Sequence, residues 1–174
     1  MTKDKLSGLA FHMKQREGKV FLVGDLRGVG KTGALVELAN KEVGVYVAST
    51  AGEAKVNSAK FGAEDWISIR SLLNTQGLRK KFYVDEGCVG WLVENGSQHG
   101  FENAQKVMEF VRHAEKVILN TNDIKAIFGL KKSLEEELRD TFSYSSRMQK
   151  DFQGKVDQQL NLIKEFENTF TFVA

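Results

Sequence analysis

The feature that most constrains the fold is an apolar run that leads through a glycine-rich stretch into a helical pattern. The apolar run covers residues 20–23, the glycine-rich stretch covers residues 24–33, and apolar residues then recur at helical spacing up to Ala39. Apolar strands and helical patterns go on alternating along the chain. Because parallel strands need a crossover connection, usually a helix, this alternation predicts an α/β fold with a mostly parallel sheet and helices on both of its faces.

The glycine-rich stretch has the residue types of a phosphate-binding loop. It reads, in order, Gly24, Asp25, Leu26, Arg27, Gly28, Val29, Gly30, Lys31, Thr32 and Gly33. In a Walker A loop, backbone N–H groups at the start of the following helix hold phosphate oxygens. Lys31 is then predicted to reach the β- and γ-phosphates, and the Thr32 hydroxyl to bind Mg²⁺. We therefore predict that residues 25–33 bind ATP.

One position departs from the Walker A spacing. The pattern G-x-x-x-x-G-K-[ST] places its first glycine where this chain has Asp25, and Gly24 lies one residue too early. Either the loop turns with Asp25 in place of glycine, or the loop is one residue longer. Aspartate accepts left-handed backbone conformations better than most residues, but its carboxylate repels phosphate. A glycine-rich turn that binds no phosphate is the alternative interpretation.

A second motif ends the next strong apolar strand, where Asp85 and Glu86 follow residues 80–84. A carboxylate at the carboxyl end of a strand near the phosphate loop is placed as a Walker B aspartate, which holds Mg²⁺ directly or through water. Glu86 is then placed to orient and deprotonate an attacking water. We predict Asp85 as a metal ligand and Glu86 as a catalytic residue. The alternative is a solvated acidic pair that closes a strand.

The remaining pattern predicts one domain that spans residues 1–174, with no internal repeat. A flexible loop is predicted next to the acids, because residues 87–90 and 94–100 are rich in glycine and polar residues. The other predicted elements are a helix at about 1–17, strands at 43–48 and 66–69, a helix at 102–114, a strand at 117–120, a helical portion at about 123–167 and a last strand at 169–173.

Composition narrows the class of protein. The net charge is +2, from 25 basic and 23 acidic residues, so charge alone does not indicate nucleic acid or a membrane as partner. The one cysteine, Cys88, excludes an internal disulfide and a cysteine-based zinc site, and it fits a reducing compartment. No apolar run is long enough to span a membrane, and the first residues lack the apolar core of a signal peptide. We expect a cytoplasmic protein, in the host cytoplasm if it is viral.

The order of these motifs resembles that of the P-loop NTPases. The glutamate directly after the strand-end aspartate resembles the additional-strand, catalytic-glutamate division, which contains AAA+ and RecA-like proteins, packaging motors and helicases. Residues 21–48 and 82–86 are most similar to compact ATPases of phages and mobile elements, in which an Arg-Gly-x-Gly-Lys-Thr loop leads into a helix like residues 33–39. The resemblance ends at about Thr121.

This resemblance implies a sheet with strand order 5-1-4-3-2, in which the Asp85 strand is not beside the loop strand. It implies Mg²⁺ as cofactor and a homo-oligomer, as a ring or dimer, whose subunits supply arginine fingers to one another. In many such ATPases a polar residue at the end of the fourth strand senses the γ-phosphate or positions water. Asn120 is the candidate for this catalytic role, and an asparagine that only makes the turn after the strand is the alternative.

Three functions remain open on these grounds. The first is an ATPase that couples hydrolysis to work on DNA or a partner protein, such as viral DNA packaging or remodelling. The second is a deoxynucleoside kinase of the thymidine-kinase type, which is similar in size and also pairs a P-loop with a strand-end Asp-Glu, although its usual zinc-binding cysteines are missing here. The third is a non-catalytic nucleotide-binding module in which Asp25 has altered the loop.

Overall fold

The computed structural model describes residues 20–23, 30–75, 80–96, 100–140, 146–170 and 172–173. Two predictions fall outside these ranges, the helix at residues 1–17 and the geometry of loop residues 24–29, including Asp25. The described residues form an α/β fold. The α/β class and the parallel sheet predicted from the alternating pattern are confirmed.

In the part of the chain that the structure describes, the sheet contains six strands. They are β1 (Val20–Val23), β2 (Val45–Ala48), β3 (Trp66–Ser68), β4 (Phe82–Val84), β5 (Lys116–Leu119) and β6 (Phe172–Val173). Every neighbouring pair is parallel, with Val47 opposite Val84 and Val84 opposite Val117. The carboxyl ends of the strands therefore meet at one edge of the sheet, where ligands of open α/β sheets bind.

The strand order is β3-β2-β4-β5-β1-β6, which differs from the expected 5-1-4-3-2. The difference is a sixth strand, β3, which pairs with β2 and forms the edge of the sheet. Without β3, the other five strands lie in the order 5-1-4-3-2 that the resemblance implies, and β5 separates β4 from β1. The extra strand exists because residues 66–68 extend after α2 and lie in register with residues 46–48.

Seven helices connect the strands within the described residues. They are α1 (Lys31–Lys41), α2 (Ala51–Phe61), α3 (Ile69–Asn74), α4 (Cys88–Glu94), α5 (Gly100–His113), α6 (Thr121–Asp140) and α7 (Ser146–Asn168). None of the helices in this part of the chain is long and apolar enough to cross a membrane.

The sheet separates two apolar clusters, and successive residues of β2, β4 and β5 face opposite clusters, as the two-residue period of a strand requires. Tyr46, Tyr83 and Ile118 pack with α1 and α2 on one face. Val47 and Val84 pack with α3 to α7 on the other face. Because both faces are covered, the site at the edge of the sheet is built on strands that are buried on both sides.

Two sequence predictions are wrong in their local detail. Residues 88–90 and Glu94, expected within a flexible loop, lie in helix α4. Within the strand predicted at 169–173, Phe172 and Val173 pair in the sheet, whereas Thr169 and Phe170 continue the helical turn through N–H bonds to the carbonyls of Phe166 and Glu167. The strand predicted at 117–120 is shifted by one residue, so that Asn120 lies just after β5.

Candidate active site

The two motifs meet at the carboxyl edge of the sheet. Thr32 Oγ1 donates a hydrogen bond of 2.9 Å to Asp85 Oδ2, and Lys31 Nζ donates one of 2.7 Å to Glu86 Oε2. The pairs are 53 and 55 residues apart in the chain, so the fold alone brings them together. One pair joins the predicted metal ligands, and the other joins the predicted phosphate-binding lysine to the predicted base.

Helix α1 positions Lys31 and Thr32 as its first two residues. Gly30 immediately precedes them with φ of 84°, a left-handed conformation that glycine adopts without steric strain, and its carbonyl accepts the first helical bond from Ala34 N–H. The first N–H groups of a helix have no partner within the helix and carry its positive dipole end. This end of α1 therefore suits an anion. Gly33, the last predicted loop residue, is buried within the helix.

Asp85 is a buried carboxylate surrounded by donors. Its side chain accepts from Thr32 and, at 2.5 Å, from the Tyr46 hydroxyl through Oδ2, while Oδ1 accepts from the Glu86 N–H at 2.8 Å. Burial raises the pKa of Asp85 to about 6, and these hydrogen bonds oppose the rise. Tyr46 in turn accepts from Asn57 Nδ2 at 3.1 Å. Burial also raises the pKa of Tyr46, so its hydroxyl remains protonated and donates to Asp85.

Glu86 and Lys31 differ in their access to solvent. The Lys31 side chain is only 8% exposed, whereas that of Glu86 is 35% exposed. The lysine is thus held inside the site, and the glutamate approaches it from the solvent side. A carboxylate in that place can contact both the lysine and a water molecule that enters from solvent.

Asn120 contributes to the start of α6 in the structure. Its Oδ1 accepts from the Asp123 N–H at 3.0 Å, and Asp123 Oδ2 accepts from the Asn120 N–H at 2.9 Å. This reciprocal arrangement is a capping box. It matches the interpretation in which Asn120 makes the turn after the strand. A contact from Asn120 to a phosphate would have to come from its Nδ2.

Asp123 is the site residue that sequence reasoning missed. Its carboxylate is fully buried and accepts from three backbone N–H groups, those of Gly87, Gly90 and Asn120. Burial raises its pKa, and these three bonds oppose the rise. The signal in the sequence was the Asn-x-x-Asp spacing at the start of a predicted helix, which indicates a capping box. That spacing could not show the two bonds to α4.

The oxygen atoms of the site suit a Mg²⁺ ion that is bound together with a nucleotide. Protein sites for Mg²⁺ usually supply one or two oxygen ligands and leave the remaining positions to phosphate oxygens and water. Thr32 Oγ1 and Asp85 Oδ2 are two such oxygens, 2.9 Å apart. Among the described residues, no group of three or more His, Cys, Asp or Glu side chains is arranged to hold a metal without other ligands.

The structure therefore brings together Gly30, Lys31, Thr32, Asp85 and Glu86, and it places Asn120 at the end of β5. The predicted loop residues Asp25, Leu26, Arg27, Gly28 and Val29 lie outside the described residues. The assignment of the site depends on these motifs and on the contacts of their side chains. The chain matches no family model, no curated protein and no solved structure.

Proposed function

We propose that this protein is a Mg²⁺-dependent P-loop ATPase that couples hydrolysis to work on nucleic acid or on a partner protein. One observation carries the proposal. The first two residues of α1, which belong to the glycine-rich stretch, are each paired with one of the two carboxylates that follow β4. An ATPase needs this set at one point: a cation for the phosphates, two oxygens for the metal and a base for water.

Each of the four side chains then has a separate role toward ATP. Lys31, at the positive end of α1, binds the β- and γ-phosphate oxygens, and residues 25–33 supply backbone N–H groups to them. Thr32 and Asp85 hold Mg²⁺, which neutralises the charge that develops on the phosphates. Asp85 must be ionised to do so, and its hydrogen bonds from Tyr46 and from the Glu86 N–H favour that state.

Glu86 acts as the general base. In the structure its carboxylate is bound to Lys31, so a γ-phosphate that binds Lys31 competes with Glu86 for the same ammonium group. Once released, Glu86 can accept a proton from a water molecule placed in line with the γ-phosphate. Nucleotide binding would thereby free the base only when its substrate is present.

The choice of working partner depends on the resemblance to compact phage and mobile-element ATPases. That resemblance suggests DNA as partner, DNA packaging or remodelling as the process and a ring or dimer as the assembly. Helices α6 and α7 could serve such an assembly only as fixed parts of the domain, because Leu134 and Ile163 lie in the same core cluster as β4 and β5. These finer statements are part of the proposal.

The proposal is tested by Mg²⁺-ATP turnover of the purified protein beside Lys31→Ala and Glu86→Gln. Each protein is assayed alone, with single-stranded DNA, with double-stranded DNA and with thymidine. We expect the wild type to hydrolyse ATP, Lys31→Ala to lose nucleotide binding, and Glu86→Gln to bind ATP without turnover. Stimulation by one form of DNA would identify the partner class.

A second ion pair of the chain provides matched controls. Lys131 Nζ and Glu167 Oε2 are 3.0 Å apart, and the Glu167 side chain is 32% exposed, close to the 35% of Glu86. Lys131→Ala and Glu167→Gln should leave turnover unchanged. Turnover driven only by thymidine would instead indicate the kinase. A wild type that binds no ATP would contradict both enzymes and leave the non-catalytic module.

A further inference from the structure

We propose that Asp123 is a positioning residue of the ATPase, which fixes the backbone on which the catalytic Glu86 stands. The inference rests on the proposed function for the role of Glu86, but its structural part concerns contacts of this chain alone. Asp123 lies on α6, and the acids follow β4, so it acts on Glu86 from a separate element of the fold.

Asp123 is buried in the fold. Its side chain has no exposure to solvent, and a buried carboxylate is stable only where hydrogen bonds replace its hydration. Its partners are three backbone N–H groups at 2.8–2.9 Å. Those of Gly87 and Gly90 lie at the start of α4, and that of Asn120 lies just before α6. A capping box needs only the Asn120 bond. The bonds to Gly87 and Gly90 go beyond what α6 requires.

The bond from Gly87 to Asp123 lies directly after Glu86 in the chain. The Glu86 N–H is held by Asp85 Oδ1 at 2.8 Å, and the next N–H, that of Gly87, is held by Asp123 Oδ2 at 2.9 Å. The peptide groups on both sides of Glu86 are therefore fixed by carboxylates. These two bonds therefore fix the direction in which the Glu86 side chain leaves the backbone, and from there its carboxylate reaches Lys31.

The chain leaves space for the Asp123 carboxylate at Gly90. A Cβ added to Gly90 would lie 2.8 Å from Asp123 Oδ1, which is closer than real Cβ contacts. Gly87, with φ of 87°, adopts a left-handed conformation that other residues disfavour. Gly90 thus leaves the space that the Asp123 carboxylate occupies, and the left-handed Gly87 supplies the N–H that bonds to it. Gly90 lies inside a helix, where glycine otherwise lowers stability. Its close contact with Asp123 is a physical reason for glycine at this position.

The test measures kcat and nucleotide affinity separately for Asp123→Asn, which keeps the shape of the side chain but turns one acceptor into a donor. A displaced base lowers kcat and leaves Lys31 and Thr32 in place. We expect kcat to fall about 10- to 100-fold, as for a small displacement of a reacting group. The dissociation constant for Mg²⁺-ATP should change by less than about 3-fold.

Gly90→Ala is the second variant, because it pushes the Asp123 carboxylate away without removing its charge. It should lower kcat in the same way, and the double variant with Asp123→Asn should lose little more than either alone, since both act through one contact. Gly129→Ala is the matched control. It also replaces a helical glycine, but an added Cβ there meets nothing within 4 Å, so kcat should be unchanged.

Hydrogen exchange of the Gly87 and Gly90 amides gives a readout that does not depend on turnover. Both amides should exchange faster in Asp123→Asn and remain protected in Gly129→Ala. Wild-type kcat in a folded Asp123→Asn, or equal losses of kcat and affinity, would overturn the positioning role. A wild type without turnover would defeat the proposed function instead. In that case, unchanged protection of Gly87 in Asp123→Asn would overturn the inference by itself.

Discussion

Lys31 Nζ lies 2.7 Å from Glu86 Oε2, so the side chain proposed to bind phosphate and the side chain proposed to activate water are bound to each other. The contact is a charge-assisted hydrogen bond in a partly buried place, because the Lys31 side chain is 8% exposed. On the proposed function, a nucleotide phosphate and Glu86 would compete for one ammonium group. Binding of ATP and release of the base would then be coupled through this pair.

The coupling predicts that Glu86→Gln binds Mg²⁺-ATP more tightly than the wild type. A neutral amide holds Lys31 less strongly than a carboxylate does, and it also removes a negative charge from beside the γ-phosphate. We expect the dissociation constant to fall roughly 3- to 10-fold, which corresponds to about 1 kcal/mol. Turnover should fall roughly 10²- to 10⁴-fold with the loss of the base. Calorimetric titration and steady-state kinetics measure the two effects.

Glu167→Gln is the control for this prediction, because it breaks the Lys131–Glu167 pair and leaves the site intact. Its affinity and turnover should match the wild type. Weaker ATP binding by Glu86→Gln would mean that Glu86 supports the nucleotide rather than competing with it, and the proposed coupling would be rejected.

The sequence predicted the meeting of Lys31, Thr32, Asp85 and Glu86 because each pair lies directly after a strand in a parallel sheet. The carboxyl ends of such strands lie at one edge, so residues far apart in the chain converge there. The same logic places Asn120 near them. Strand and motif order were sufficient for this part of the site.

The sequence could not predict helix α4 or the role of Asp123. The segment Gly87-Cys88-Val89-Gly90 has the glycine content of a loop, and local propensity favours that interpretation. In the fold, Asp123 on a different element accepts the N–H groups of Gly87 and Gly90, and the helix buries Val89 and Leu92 in the core. A contact between residues 33 and 36 positions apart leaves no periodic signal in a single sequence.

A further prediction separates two buried tyrosines that lie opposite each other on β2 and β4. Tyr46 donates to Asp85, whereas Tyr83 donates to Glu42. Tyr46→Phe and Tyr83→Phe should each lower the free energy of unfolding by about 1–3 kcal/mol through the lost bond to a carboxylate. Only Tyr46→Phe should weaken Mg²⁺-dependent ATP binding, by about 10-fold, as expected when a group that orients a metal ligand is removed.

Urea unfolding and ATP titration of both variants, with and without Mg²⁺, check this prediction. Tyr83→Phe serves as the matched control, because both tyrosines have no exposure to solvent and both lose a hydroxyl. Equal effects of the two changes on Mg²⁺-ATP affinity would show that the Tyr46 hydroxyl does not position Asp85.

The pKa of Asp85 predicts a pH dependence of stability with a defined sign. Burial raises this pKa from 3.8 to about 6 in the folded protein, so the folded state holds the proton more tightly than the unfolded state. The stabilising contribution is complete below about pH 4 and is lost as the pH rises to about 6. The linkage relation gives a loss of about 3 kcal/mol for a shift of about two units.

Asp85→Asn removes this titration and keeps an oxygen that can accept from Tyr46. Relative to the wild type, the variant should gain about 2.5 kcal/mol of unfolding free energy between pH 4 and pH 7.5 without Mg²⁺. Other groups titrate in both proteins, so the difference between them isolates Asp85. Urea unfolding at the two pH values measures it. A difference that does not change with pH would contradict the raised pKa.

The last prediction concerns α7, which lies mostly within the helical portion predicted at about 123–167. Ile163 has no exposure to solvent and lies in the core cluster that includes Val84 and Val117, so α7 is part of the domain core. Ile163→Ala should lower the free energy of unfolding by about 2–5 kcal/mol, the usual range for a buried isoleucine. Met148→Ala, on the same helix but 60% exposed, should change it by less than about 0.5 kcal/mol. Urea unfolding of both variants decides the point. Similar small effects of the two changes would mean that α7 detaches readily from α5 and α6, and a mobile arm would then be the better description.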